Sequence, residues 1–303
     1  MELYLITGFL GAGKTTFLKN FVAQFKDRKI HLIINEFGAT GVDGTIVKKM
    51  RLAMSEINQG SIFCACRLDQ FEEELLHLQA TEPEIVIVEA SGLSDPTNVR
   101  KVLENGRFPH IDYRGSICMI DAARFEKVVS TARVVPKQLS VSSLALVNKT
   151  DLVSPEKIAV VKQTIVEQNP AIVIKETQFG AFDPSWLSSL TPEIDMEEAI
   201  NTQDITLQKA TITLAKTLEM KEIESFLQMI AEDTYRIKGF VKIGECNYLI
   251  NCVGAYLKIE RYEEEITNCN EIVALAGKGM PLRASLKNAK KWYETMILKI
   301  QHG

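Results

Sequence analysis

The sequence predicts an α/β fold, a mostly parallel sheet with helices on both faces, followed by a smaller α+β domain. Three observations point there. Short apolar runs recur through the first 180 residues without polar alternation, as strands covered on both faces require. Stretches of helical period separate them, the rhythm of parallel strands joined by crossover helices. Beyond residue 206 that rhythm stops and a different mixture of helix and strand patterns begins.

The strand runs are "LYLIT" (3–7), "KIHLIIN" (29–35), "EIVIVEA" (84–90), "GSICMID" (115–121), "LALVN" (144–148) and "AIVIK" (171–175). Helices are expected over "KTTFLKNFVAQF", "RLDQFEEELLHL" and "SPEKIAVVKQTIVEQN". The last opens with Ser154 as N-cap and Pro155 in the first turn. The rhythm is lost across residues 183–206, which are rich in Pro, Ser and acids. The expected organisation is a first domain over 1–190, a linker over 191–206 and a second domain over 207–303. In the second, a helix is expected at 218–231 with Ile223, Phe226, Leu227 and Ile230 on one face. Strands follow at 236–244, 247–253 and 269–276. A final helix is expected at 282–299, with Leu286, Ala289, Tyr293 and Met296 aligned.

The chain has 303 residues, 46% hydrophobic and 24% charged, with 35 basic against 39 acidic residues. These are values of a soluble globular protein, and the balance argues against a nucleic-acid or membrane-surface footprint. The longest apolar runs are strand-sized, far short of a membrane span. No cleavable signal is expected at "MELYLITG", so a reducing cytoplasm is the expected location. There a disulfide is the least expected use of the six cysteines.

"GFLGAGKT" (Gly8–Thr15) matches G-x-x-x-x-G-K-[ST] between a strand and a helix, the context of a P-loop NTPase. Gly8, Gly11, Ala12 and Gly13 let backbone N–H groups curl around phosphate oxygens. Lys14 brings a charge to the β- and γ-phosphates, Thr15 offers a hydroxyl to Mg²⁺, and Thr16 completes the cradle at the helix N-terminus. "NKTDL" places Asn148, Lys149 and Asp151 after the fifth apolar strand. The Asp151 carboxylate can accept two hydrogen bonds from a guanine edge, a donor pair that adenine lacks. The spacing from the P-loop and the position at a strand's carboxyl end favour a guanine nucleotide, GTP or GDP. "IVEASG" (87–92) ends a buried strand with Glu89, placed to hold Mg²⁺ or orient the attacking water. "INEFGATGVDG" (34–44) carries Glu36 and Asp43 in a loop able to sense the γ-phosphate.

Taken in order, "GFLGAGKTT", "NEFGATGVDG", a cysteine segment after "NQG", "VEASGLSDP" and "NKTDL" resemble the CobW family. That family belongs to the class of P-loop GTPases that also holds HypB and UreG. "YRIKGFVKI" (235–243) is similar to the Arg-x-Lys-Gly-Phe strand of its C-terminal domain. Gly8 to Thr15, Glu89, Gly92, Asn148, Lys149 and Asp151 match family positions individually. The resemblance implies GTP binding, slow Mg²⁺-dependent GTP hydrolysis, and delivery of metal to, or maturation of, a metal- or corrinoid-dependent client. No arginine finger or water-positioning Gln is evident, so a partner or a homodimer is expected to accelerate the reaction. In that mechanism Lys14, Glu89 and Asp43 are the catalytic candidates, with Thr15 and Glu89 holding Mg²⁺.

The chain departs from the family at its thiols. The usual pattern is Gly-Cys-x-Cys-Cys with an Arg three residues further on. Here the run is Gly60-Ser61-Ile62-Phe63-Cys64, with Arg67, so Ser61 and Phe63 stand where two cysteines are usual and Cys66 is extra. Cys64 and Cys66 can bind a metal such as Zn²⁺ or Co²⁺, serve redox or corrinoid chemistry, or pack beneath the nucleotide loop. Two thiolates are short of the three or four ligands that zinc takes, unless Glu56, His77, a second subunit or a client adds the rest. The four histidines, His31, His77, His110 and His302, are scattered and read as surface or core residues. Cys118 reads as core. Cys246, Cys252 and Cys269 read as packed in the second domain, with a thiol cluster possible if strand pairing unites them. Three functions stay open: a GTPase metallochaperone or maturation factor, a GTP-dependent switch docking on a metalloprotein without carrying metal, and a small-molecule phosphotransferase. Asn148-Lys149-x-Asp151 argues against the third.

Overall fold

The computed structural model describes residues 1–36, 53–58, 68–97, 99, 102–103, 107–192, 207–216, 218–253, 256–263, 266, 269–277 and 279–302. Asp43, Cys64, Cys66 and the expected linker beyond residue 192 lie outside them. The chain divides into two compact units, Met1–Gln203 and Asp204–Gly303.

The first unit is built on seven parallel strands: β1 (Glu2–Gly8), β2 (Ile30–Glu36), β3 (Ala53–Asn58), β4 (Ile85–Glu89), β5 (Asp112–Asp121), β6 (Leu144–Asn148) and β7 (Val173–Glu176). Their order is β3-β2-β4-β1-β5-β6-β7. The described helices are α1 (Lys14–Val22), α2 (Leu68–Thr81), α3 (Phe125–Thr131), α4 (Val134–Ser140) and α5 (Pro155–Gln168). Strand side chains alternate between faces, and here both faces are covered. Leu3 and Leu5 of β1 join Phe71, Leu75 and Leu78 of α2 in one core. Tyr4 and Ile6 join Phe17, Leu18 and Phe21 of α1 in the other. Burial on both sides explains why these strands read as unbroken apolar runs.

The six expected strands and three expected helices of this unit are present, and α5 has the expected cap, Lys157 N donating to Ser154 Oγ. Strand β3, "AMSEIN", was not foreseen. Among the described residues it is a sheet edge paired only with β2, and it mixes polar with apolar residues. Residues 184–189 form a 3₁₀ turn, and Phe182, Trp186 and Leu187 pack on the α1 core, so the loss of rhythm at 183 does not mark a loss of packing.

The second unit is an antiparallel sheet ordered β11-β10-β9-β12-β8-β13. Its strands are β8 (Leu207–Leu214), β9 (Arg236–Ile243), β10 (Cys246–Val253), β11 (Tyr256–Tyr262), β12 (Glu271–Gly277) and β13 (Ile297–His302). Helix α6 (Met220–Ala231) buries Ile223, Phe226, Leu227 and Ile230, the expected face, and α7 (Leu282–Trp292) buries Leu282, Leu286 and Ala289. The expected helix 282–299 is corrected: it ends at Trp292, and residues 297–302 return as β13 against β8. Met296 and Ile297 are buried, so the apolar positions do face the core. Pairing with β8 satisfies their backbone, and that outweighs local helical periodicity.

The thiols of this unit do not gather as the sequence allowed. Cys252 lies between Ile237 and Leu257, whereas Cys246 pairs with Ile243 at the far end of β10. At strand rise, that is a separation of about 20 Å. Cys269 turns to Asn270 Oδ1 at 3.7 Å. Among the described residues, no three of His, Cys, Asp and Glu are grouped to hold a metal. Burial pushes the thiols of Cys118 and Cys252 up to about 12, with Lys14 drawing Cys118 the other way. The native protein in iodoacetamide at pH 8 is therefore expected to be alkylated at Cys246 and Cys269 long before Cys118 and Cys252, which react only on unfolding. Peptide mass spectrometry over time reads this order, and early labelling of Cys252 contradicts it.

Candidate nucleotide-binding site

Parallel strands bring their carboxyl ends to one edge, and the expected site residues collect there. Gly8 ends β1, and the loop through Gly11, Ala12 and Gly13 leads to Lys14, Thr15 and Thr16 in the first turn of α1. Gly13 has φ +102°, and a Cβ there would meet Asn148 Nδ2 at 2.5 Å. Only glycine allows both that backbone and that approach. Lys14 is 8% exposed, and its ammonium bends over the loop to donate to Gly8 O at 2.8 Å and Phe9 O at 3.3 Å. The charge is thus held above the curl of backbone amides.

Glu89 ends β4 beside Ile6 of β1 and is 6% exposed. After it, the chain runs directly against the P-loop. A Cβ on Gly92 would meet Leu10 N at 2.6 Å, so this segment and the phosphate loop touch backbone to backbone. Helix α4 holds it from behind. Gln138 Nε2 donates to Gly92 O at 3.2 Å and Ser94 O at 3.3 Å, and Lys137 pairs with Asp95.

Asn148 ends β6, is 2% exposed, and bridges two loops. Its Nδ2 donates to Ala12 O of the P-loop at 2.9 Å, and its Oδ1 accepts from Gly180 N at 3.1 Å in the loop after β7. Lys149 takes a left-handed conformation, φ +63°, and its ammonium donates to Asp121 Oδ2 at 2.6 Å. Asp151 follows in a 3₁₀ turn over Thr150–Leu152, with its carboxylate exposed. The structure therefore joins the P-loop and the Asn148–Asp151 segment through one side chain. Thr15 and Glu89 supply a hydroxyl and a carboxylate, hard oxygen donors of the kind Mg²⁺ takes. The remaining expected residues, Asp43, Cys64 and Cys66, fall outside the described residues; the thiols follow β3 in the chain, whose end, Asn58, lies in register with Glu36 of β2.

Sequence reasoning missed three parts of the site. Asp121 closes β5, is 7% exposed, accepts from Ala123 N at 3.0 Å and anchors Lys149. An acid ending an apolar strand, the signal that marked Glu89, would have found it. The loop over Thr177–Ala181 and its anchor Asn20 carry no comparable signal, because their contacts are to backbone atoms. Gln138 is legible only once α4 is placed.

Residues 2–175 match a family model described as the CobW/HypB/UreG nucleotide-binding domain. The chain belongs to the CobW/HypB/UreG family. Its P-loop, Glu89 and Asn148–Asp151 segment are thus elements of a CobW/HypB/UreG nucleotide domain. The chain is 28% identical over 295 residues to the zinc chaperone CobW of Pseudomonas aeruginosa, covering 80% of this chain and 77% of that one. It is 32% identical over 157 residues to the zinc chaperone YeiR of Escherichia coli, spanning 50% of this chain and about half of that relative (47%). Among solved structures, Zn(II)-bound YjiA GTPase from E. coli superposes with a TM-score of 0.46 at 17% identity, over 95% of this chain and 98% of that one.

Replacing Asn148 by Ala leaves the carbonyl of Ala12 and the amide of Gly180 without this partner in a closed site. The expected loss is about 1–3 kcal/mol of folding stability, together with weaker nucleotide affinity. Urea unfolding and GDP titration of the Asn148→Ala protein check it, and wild-type values in both contradict it.

Proposed function

We propose that the protein binds GTP, hydrolyses it slowly, and acts as a metallochaperone or maturation factor for a metal-dependent client. The observation that carries the nucleotide half is the Asn148 bridge, which ties the phosphate loop to the end of β6, three residues before Asp151. GTP lies with its phosphates over Gly8–Thr16, Lys14 against the β- and γ-phosphates, and the guanine edge on Asp151. Thr15 and Glu89, with Asp43, would hold Mg²⁺, which would supply charge neutralisation for phosphoryl transfer. Lys14 stabilises the charge on the transferring group. Glu89, buried at the strand end, orients the water for in-line attack. Gly92, packed on Leu10, carries loss of the γ-phosphate from the P-loop to the β4 loop and so to α4.

Membership in the family and the zinc-chaperone names of the relatives support the metal half. Cys64 and Cys66 are the proposed ligands for Zn²⁺ or Co²⁺, in the segment between β3 and α2. Two thiolates leave coordination positions for a client or the second copy of a homodimer, which suits transfer better than storage. A corrinoid-dependent protein is the narrower form of the client. A reducing cytoplasm is the compartment in which such a pair stays available. Among the described residues no helix is long and apolar enough to cross a membrane.

One observation favours a second reading. Ser61 and Phe63 stand where the family usually has cysteines, and a protein that only docks on its client in a GTP-dependent way needs no metal ligands there.

Two experiments test these readings. Asp151→Asn replaces an acceptor with an amide that cannot receive both guanine donors. GTP affinity is expected to fall at least about tenfold, for a loss of order 1–3 kcal/mol, while affinity for xanthosine triphosphate rises. Unchanged GTP affinity removes the base assignment. Zinc competition against a chromophoric chelator is expected to show stoichiometric micromolar or tighter binding. That binding is lost in the Cys64→Ser/Cys66→Ser protein and altered between GTP and GDP. No binding at micromolar zinc eliminates metal transfer and leaves the docking switch.

A further inference from the structure

We propose that Phe179 stacks on the guanine base and forms the outer wall of its pocket, an inference that rests on the guanine-nucleotide reading above. Phe179 is 74% exposed, yet the backbone carrying it is tethered on every side. Thr177 O accepts from Thr150 Oγ1 at 3.2 Å, and Gly180 N donates to Asn148 Oδ1 at 3.1 Å. Both partners belong to the Asn148–Asp151 segment, so the residues flanking Phe179 are fastened to the loop that reads the base. From α1, Asn20 Nδ2 donates to Phe179 O at 3.2 Å and Gly180 O at 2.8 Å. Thr177 Oγ1 donates to Ala181 O at 2.7 Å, closing the loop on itself.

The conformation sharpens the question. Phe179 has φ +53°, a left-handed backbone that bulky residues rarely adopt and that Gly or Asn would take with less strain. A turn alone gives no reason for an aromatic residue here, and burial gives none either, since most of the ring faces water. A purine supplies the reason. The Asp151 carboxylate can read the edge of guanine in its plane but leaves both faces of the base solvated. An aromatic side chain on the loop bracketed by Thr150 and Asn148 covers one face, and stacking of this kind depends on the base rather than on the phosphates.

The test uses the full-length protein with Mg²⁺. Phe179→Ala is expected to raise the Kd for GDP about tenfold, within the range found when base-stacking aromatics are truncated, and to raise the Kd for GTP by the same factor. In turnover the loss falls on KM rather than kcat, because the ring meets the base and not the γ-phosphate. An unchanged urea midpoint shows that the fold is intact. Phe179→Trp is expected to keep wild-type affinity. Its emission, read above the background of Trp186 and Trp292, changes on adding GDP and ignores ADP. Equal GDP affinity in wild type and Phe179→Ala, or indole emission that does not respond to GDP, overturns the proposal. A wild-type protein that fails to bind GDP overturns the guanine reading itself, and this one with it.

Discussion

The site depends on one buried amide. Asn148 donates to the carbonyl of Ala12 and accepts from the amide of Gly180, so loops from three parts of the chain share a single side chain that water barely reaches. The P-loop and the Asn148–Asp151 segment have to stand at a set separation to share that side chain. The parallel sheet fixes that separation coarsely through the β1–β5–β6 register. The Asn148 bridge fixes it locally. Gly13 is part of the same constraint, since any side chain there would displace the amide.

Around that bridge the edge divides its work by strand. The centre of the sheet, β1 with β4 and β5 on either side, carries three charges at its carboxyl edge: Lys14 after β1, Glu89 at the end of β4 and Asp121 at the end of β5. The loops after β6 and β7 are bonded to each other through Thr150 and Asn148. The β2 and β3 strands lead to the segments with Asp43 and the thiols. This order makes the P-loop the common neighbour, with Leu10 against Gly92 and Ala12 against Asn148. Gln138 and Lys137 of α4 in turn hold the segment after β4, at Gly92 and Asp95.

The thiols show how far composition can mislead in either direction. Six cysteines in one chain invite a metal cluster. In the second unit, strand register sends Cys246 and Cys252 to opposite ends of β10, and Cys252 is wholly buried. A buried thiol with its pKa driven upward behaves as a small apolar side chain. Cys64 and Cys66 lie outside the described residues, so the second unit's register bears on Cys246 and Cys252 alone.

Much of this protein was legible in the amino-acid order itself. Unbroken apolar runs announced β1, β2, β4, β5, β6 and β7, because strands buried on both faces have no polar positions to interrupt them. Gly8–Thr15 and Asn148–Asp151 were readable because phosphate and guanine impose residue types at close spacing. Tertiary structure decided what depends on partners distant in the chain. Among the described residues, edge strands β3 and β11 pair on one side only, so their sequences carry mixed polarity and a weak signal. The run after Trp292 has helical period, yet it forms β13 because β8 offered hydrogen bonds that a longer helix would have left unmade. Asp121, Asn20 and Phe179 acquire meaning only when β5, α1 and the loop after β7 meet the Asn148–Asp151 segment. Local pattern encodes periodicity and burial, while contacts across 28 or 159 residues are set by the sheet that brings them together.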